Sequence, residues 1–385
     1  MNKIIIKCIS FIFIVTSIII LFNVSFSSAA KINAKKIELE KNLNRLMRIE
    51  GIKNTKKIKW SSGNKKIATV SKTGRVTGKN KGSTKVIARV NGKKYICSVK
   101  VIPKMTDMQR VKKLLKEQGY SKKISPTDKY CFKWNGSKTK LVEISINGLD
   151  AAAIPEGDRY TRFFVKSKYL DLSGFKDLKA VHLDMFSIAE LNIGGLKKLK
   201  KLSIFDYTSK DSLNYIDFYN VKGLKDLSIM ADKIDIPSHT LKSLKTILFN
   251  GKIADRIKYS NLKSVTDLNL YNIPSKKLSF PSLPSLKILN IELARNLDEL
   301  SVSNLKNLQN LYCYSNDLSK LTLGTLTKLK ILDCSYNKIE SLSLGGLASL
   351  ESIKCSNNKI TELDLRGFTD FPSIYCDSIV NILYY

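Results

Sequence analysis

Between Leu308 and Asp370 the chain divides into three lines of 21 residues: LQNLYCYSNDLSKLTLGTLTK, LKILDCSYNKIESLSLGGLAS and LESIKCSNNKITELDLRGFTD. Leucine opens each line, and Leu or Ile stands fourth. Cys stands sixth (Cys313, Cys334, Cys355) and Asn ninth (Asn316, Asn337, Asn358). A partial fourth line keeps the phase with Phe371, Ile374 and Cys376. The L-x-x-L-x-C run puts alternate side chains of a short strand on one face. The Asn turns the chain, and an I-x-x-L-x-L run brings it back with its apolar residues inward. One such coil cannot bury its own face, whereas stacked coils can, so the chain is a repeat protein.

The pattern resembles the leucine-rich repeat, in the short form found in bacterial surface proteins such as internalins. A parallel β-helix has a similar period and is the second architecture to weigh. The ninth-position Asn and the x-L-x-L run favour leucine-rich repeats. Run backwards, the phase opens lines at Leu178, Leu199, Leu224, Leu244, Val265, Leu286 and Leu308. Leu141, Ile144, Ile146, Leu170 and Leu172 read as an irregular first coil. The resemblance implies a solenoid of about ten coils over residues 141–385. The middle lines replace the ninth-position Asn by Phe186, Tyr207, Asp232, Lys252, Ile273 and Ala294. Leucine spacing carries their fold, and their turn chemistry stays open.

Residues 1–30 begin MNKIIIK, run apolar from Cys8 to Phe26 and end SSAA. This is the layout of a secretory signal peptide cleaved after Ala30, with retention as an uncleaved anchor as the other reading. The expected protein is therefore secreted or extracellular, with no integral span after cleavage. Six cysteines remain after Cys8. The four in the ladder suit a narrow apolar interior, because free Cys is among the most buried residue types. Pairing of Cys97 with Cys131 stays open. With only His182 and His239 and no C-x-x-C, no metal site or cofactor is expected.

Residues 31–102 alternate apolar and polar positions between glycine-containing turns, the signature of a small β-sandwich. Trp60-Ser61-Ser62, Ala68-Thr69-Val70, Gly74-Arg75-Val76-Thr77-Gly78 and Ile96 to Val101 follow in order. These residues resemble the bacterial immunoglobulin-like domain of group 2, which implies a spacer or binding module without catalysis. The fold class expected is thus β-rich and two-domain, an Ig-like β-sandwich followed by a leucine-rich-repeat solenoid. Residues 103–140 join them. Thr106 with Gln109 forms a capping box, and Met108, Val111, Leu114 and Leu115 recur at helical spacing towards Gly119, giving one amphipathic helix to cap the solenoid. Phe132 and Trp134 are expected to complete that cap.

Charge is unevenly placed. The chain has 66 basic and 33 acidic residues. Residues 31–102 hold 21 basic against 3 acidic, residues 103–140 hold 11 against 3, and residues 141–385 hold 32 against 27. Such density in the first module attracts anionic polymers. Outside a bacterium the expected partner is anionic cell-wall polymer, and the protein is expected to be cell-wall associated. Nucleic acid is not expected, since no nucleic-acid motif is present. Composition bias with a solvated lysine surface is the bland reading.

In leucine-rich repeats the third, fifth and seventh positions of each line point outward from the concave sheet. Those positions include Phe205, Met230, Leu248, Tyr271, Tyr312 and Tyr314, flanked by Asn250, Asn269, Asn290, Glu292 and Asp333. Aromatic residues beside small polar groups are the composition of protein-binding surfaces, although exposed strand positions favour Tyr and Phe in any case. The expected function is non-enzymatic adhesion to a protein or glycan partner through this face. A structural cell-envelope component without a host ligand is the alternative. His182 and Asp184 share the face, but no nucleophile motif or phosphate loop accompanies them, so no enzyme is expected.

Overall fold

The computed structural model describes residues 30–52, 54–118, 122, 124–146, 168–184, 188–205, 213–231 and 234–384. The expected signal segment lies outside them but for Ala30, as do Gly119, Phe186, Tyr207 and Asp232. The chain separates into two units, one ending at Lys104 and the other running from Met105 to Tyr385.

The first unit is a sandwich of short strands. Lys36–Glu40 runs parallel to Lys93–Ile102, which pairs antiparallel with Gly82–Val90, and that strand pairs with Lys59–Ser62. Asn44–Leu46, Arg75–Gly78 and Ala68–Val70 form the facing antiparallel sheet. Strand alternation sends Ile37, Leu39, Val76, Val86, Cys97, Val99 and Val101 into one core while the lysines between them stay out. The Gly74–Gly78 spacing has a steric cause. Gly74 has φ +89, and a Cβ there would sit 2.5 Å from the Met47 carbonyl and 2.8 Å from the Trp60 ring. A Cβ at Gly78 would meet the Glu40 carbonyl at 2.9 Å.

The second unit opens with the helix Asp107–Glu117. Its start is set by the capping box, with Gln109 N–H donating to Thr106 Oγ1 at 3.2 Å and Thr106 N–H to Gln109 Oε1 at 2.8 Å. Val111, Leu114 and Leu115 join the same apolar core as the repeats, while Met108 is half-buried. Asp107 and Arg110 are buried on that face and pair at 2.7 Å. Asp107 Oδ2 also accepts the Leu141 N–H at 3.0 Å, fixing the helix to the first repeat strand. Phe132 is buried, and Trp134 packs on the core with its indole N–H donating to the Pro126 carbonyl at 3.1 Å.

Twelve strands then form one sheet, parallel throughout except for its first pair, Phe132–Trp134 with Leu141–Ile146. In the five-residue strands from Lys201–Phe205 to Ile288–Glu292 the second and fourth residues are buried and the others half-exposed or exposed, as in Asp226–Met230 and Asp267–Tyr271. Shorter return strands make three further parallel sets, among them Lys277–Ser279, Glu299–Ser301 and Lys320–Thr322. Their central leucines close the core from the other side. The expected β-rich fold, an Ig-like sandwich and a leucine-rich solenoid, is what the chain adopts.

The regular lines are joined by asparagine side chains. Asn337 Oδ1 accepts the Leu318 N–H at 3.1 Å, and its Nδ2 donates to the carbonyls of Cys313 (2.8 Å) and Cys334 (3.0 Å). Asn316 serves Ala294 N–H, Ile291 O and Cys313 O in the same way. Asn358 serves Ile339 N–H, Cys334 O and Cys355 O. The residue before the ninth position lies in the left-handed region in six lines: Gly251, Asn272, Leu293, Ser315, Tyr336 and Asn357. That conformation is the turn which residue type alone did not reveal in the middle lines. Ile273 and Ala294 fill the interior there instead of an amide.

Candidate recognition face

The long sheet sets the geometry of its outward face. Register places the fifth positions of successive lines in one column: His182, Ser203, Ser228, Leu248, Asn269, Asn290, Tyr312, Asp333 and Lys354. The seventh positions form a second column, in which Phe205 pairs Met230, Asn250 pairs Tyr271 and Tyr271 pairs Glu292. All the residues singled out from the sequence lie on this face and are partly exposed.

They do not form one uniform strip. Phe205 and Met230 make an apolar pair at one end of the group, with Leu248 and Asn250 on the next strand. Asn269 is tied to the sheet by its amide, which donates to the Ile247 carbonyl at 3.1 Å. Beyond it, Tyr271, Asn290, Glu292 and Tyr314 converge. Asn290 Nδ2 donates to Glu292 Oε1 at 2.6 Å and lies 3.4 Å from the Tyr271 hydroxyl. Tyr314 hydrogen-bonds Glu292, so one tyrosine and one amide hold this carboxylate, and the Tyr271 hydroxyl accepts from the same amide. Burial and the bond to Glu292 push the Tyr314 phenol up to about 12, and burial with the same carboxylate raises Tyr271. The Asn290 carbonyl oxygen is shielded from solvent and has no hydrogen-bond partner among the described residues.

Tyr312 and Asp333 are paired across adjacent strands. Two supporting residues were not singled out from the sequence: Asn310, whose amide donates to the Tyr312 hydroxyl at 3.3 Å, and Ser335, which donates to Asp333. Both lie two residues from their partner on the same strand face, a spacing the alternation rule makes visible. The face as a whole is acidic. Outward strand positions carry Asp226, Asp267, Glu292 and Asp333, against Lys201 and Lys354.

His182 Nε2 stands 3.9 Å from Glu143 Oε1, while the Asp184 side chain lies outside the described residues. All six cysteines in the described residues are free thiols, Cys97 and Cys131 included. Burial raises each of them, Cys97 to about 11 and Cys131 and Cys355 to about 12, and neighbouring sulfurs add to the effect at Cys334. These thiols are packing groups with little thiolate character. Among the described residues no helix is long and apolar enough to cross a membrane.

Comparison with known families finds the bacterial Ig-like domain (group 2) over residues 34–98 and leucine-rich repeats (two copies) over residues 327–373. A comparison with curated proteins finds no match. Among solved structures the chain is similar to an internalin (inlF) from Listeria monocytogenes, at 15% identity and a TM-score of 0.30, covering 72% of this chain and 94% of that one.

Proposed function

We propose that this chain, a bacterial Ig-like domain of group 2 joined to leucine-rich repeats, is a non-enzymatic recognition protein of the cell exterior. It binds a protein partner through the outward face of the long sheet. The observation that carries this reading is the row Tyr271, Glu292, Tyr314 with the unpartnered Asn290 oxygen beside it. Partly exposed tyrosines supply contact area at low entropic cost. A carboxylate between two aromatic rings suits an Arg or Lys side chain, which gains both an ion pair and a ring face. Phe205 and Met230 supply an apolar contact further along. The first unit, with 21 basic against 3 acidic residues over 31–102, holds the protein to anionic wall polymer in this reading.

A glycan would stack on the same tyrosines but bring no cation, so Glu292→Gln separates the two ligand classes. Arrays of basic peptides and of glycans, probed with the full chain, identify a ligand. A protein partner requires that Glu292→Gln lower capture about tenfold, the scale of one charge-assisted pair. Tyr271→Ala with Tyr314→Ala should abolish it. Capture that survives all three substitutions, with cell retention governed by the first unit alone, would instead support a structural envelope component.

A further inference from the structure

Summed along the sequence, the repeats look nearly neutral, with 32 basic against 27 acidic residues. Register shows that the charge is unevenly placed. Eight of the nine lines are preceded by a turn of the form apolar-x-x-apolar, in which the N–H of the second apolar residue bonds the carbonyl of the first, as in Leu199 to Leu196, Leu244 to Leu241, Val265 to Leu262 and Leu308 to Leu305. Both apolar residues are buried, so the two between them, and the one that follows, are turned out along a single edge of the sheet. The residue after the line-opening leucine is Lys179, Lys200, Lys225, Lys245, Lys287 or Lys330 in six of the nine lines from Leu178 to Leu350. Their backbones are stacked rung on rung: Lys200 N–H donates to Lys179 O at 2.8 Å, Lys225 to Lys200 O at 2.8 Å and Lys245 to Lys225 O at 2.7 Å. A second row, in the turn itself, carries Lys176, Lys197, Lys222, Lys242, Lys263 and Lys306.

With Lys198 and Lys328 this edge holds 14 lysines against two carboxylates, Asp177 and Glu351. Both carboxylates are already paired, Asp177 with Lys198 and Glu351 with Lys330 at 2.6 Å. Lys222, Lys242, Lys245, Lys263 and Lys287 are exposed and have no carboxylate partner among the described residues. A depression of about 370 Å³ lies at the middle of the edge, lined by Lys245, Lys287 and Lys328 with Thr266, Ser285 and Asn307. Fixed like charges at such density self-repel unless an anion neutralises them.

The geometry points to this lysine edge as a docking surface for a linear phosphodiester polymer of the poly(glycerol phosphate) kind. Adjacent strands lie about 4.8 Å apart, so the eight rungs that carry these lysines align charge over roughly 34 Å. A row that long is matched by a chain of regularly spaced anions better than by a compact ligand. Ammonium groups act as point charges towards phosphate. Ser285 offers a hydrogen bond to polymer hydroxyls at the depression, while Asn307 and Thr266 are held by Pro284, Lys328 and Asp267.

Acetylation footprinting of the full chain with poly(glycerol phosphate) tests this directly. Lys245, Lys287 and Lys328 should be protected by the polymer and equally reactive with or without neutral dextran. The triple variant K245Q/K287Q/K328Q should bind about tenfold more weakly at low salt and show a shallower salt dependence. A charge-matched control, K65Q/K72Q/K93Q in the first unit, should bind better than the edge variant. All six lysines are exposed, so unchanged circular dichroism is expected of both. Protection confined to residues 31–102, or equal losses from the two variants, would overturn the assignment while leaving the basic first unit as the polymer contact. Tighter binding to single-stranded DNA of equal charge would overturn it too.

Discussion

The lines from Leu308 onward and those from Leu178 to Asn307 build one continuous core by different means. In the later lines an identical amide recurs every 21 residues, and each amide joins its own rung to the one before. In the earlier lines that position is filled by apolar groups such as Ile273 and Ala294, and in the line from Leu244 the short helix Lys252–Arg256 begins at that position. The later solution is rigid in length, because each amide must meet fixed backbone groups. The earlier one tolerates line spacings from 20 to 25 residues. Backbone pairing in the long sheet is common to both, so register survives where the amides stop.

Removing a ladder amide should have the largest effect. Asn337→Ala leaves the buried Leu318 N–H without a partner and removes one of the two amide donors from each of the Cys313 and Cys334 carbonyls, and should destabilise the repeats by about 2 kcal/mol in urea titration. A loss below about 1 kcal/mol would mean that the backbone ladder alone holds the later lines. A gain is available in the earlier lines. Leu293 is half-exposed with φ 56, a conformation that Asn adopts more readily, and Asn272 and Asn357 occupy the same position in other lines. Leu293→Asn should therefore stabilise by about 0.5–1 kcal/mol, and no shift in the thermal midpoint would argue against left-handed strain there.

The smallest effect at neutral pH concerns the thiols. Folding raises Cys355 from 9.0 to about 12, so the folded state holds this proton more tightly than the unfolded chain does. The stability it protects is intact below pH 9 and is lost progressively as pH rises from 9 towards 12. Unfolding midpoints measured across that window should fall in the native protein and fall less in Cys355→Ala. Parallel decline in both would assign the alkaline loss to other groups.

Much of this was legible from spacing. The Cys and Asn ladders were visible because stacking brings the same side chain onto itself, so chemistry that works in one rung works in all. The W-S-S, A-T-V and G-R-V-T-G order exposed the sandwich because its two glycines have steric duties that no other residue meets. The left-handed eighth position was not legible, since Gly251, Leu293, Ser315 and Tyr336 share a conformation imposed by the rung rather than by their own preference. The buried pair of Asp107 and Arg110 was hidden for a related reason: two charges on an amphipathic helix read as solvated until a partner N–H is known. At the recognition face, alternation identified the outward residues but not their grouping. The line phase puts Tyr271, Glu292 and Tyr314 at one position, but only the structure shows that the Asn290 amide joins Tyr271 to Glu292. Charge was misjudged in the repeats because a running sum ignores which edge each lysine occupies.

The amide ladder has a direction. Asn316 completes the turn of Ala294, Asn337 that of Leu318 and Asn358 that of Ile339, always reaching from a later rung to the earlier one. A unit copied from one leucine to the next therefore arrives with the donor its predecessor needs but depends on its successor for its own. Tandem duplication of such lines is self-consistent only when copies enter in phase behind an existing amide, so gene-level expansion of this array is expected to proceed by whole 21-residue steps in the later lines. The earlier lines, freed from that dependency, are where insertions of other lengths can settle.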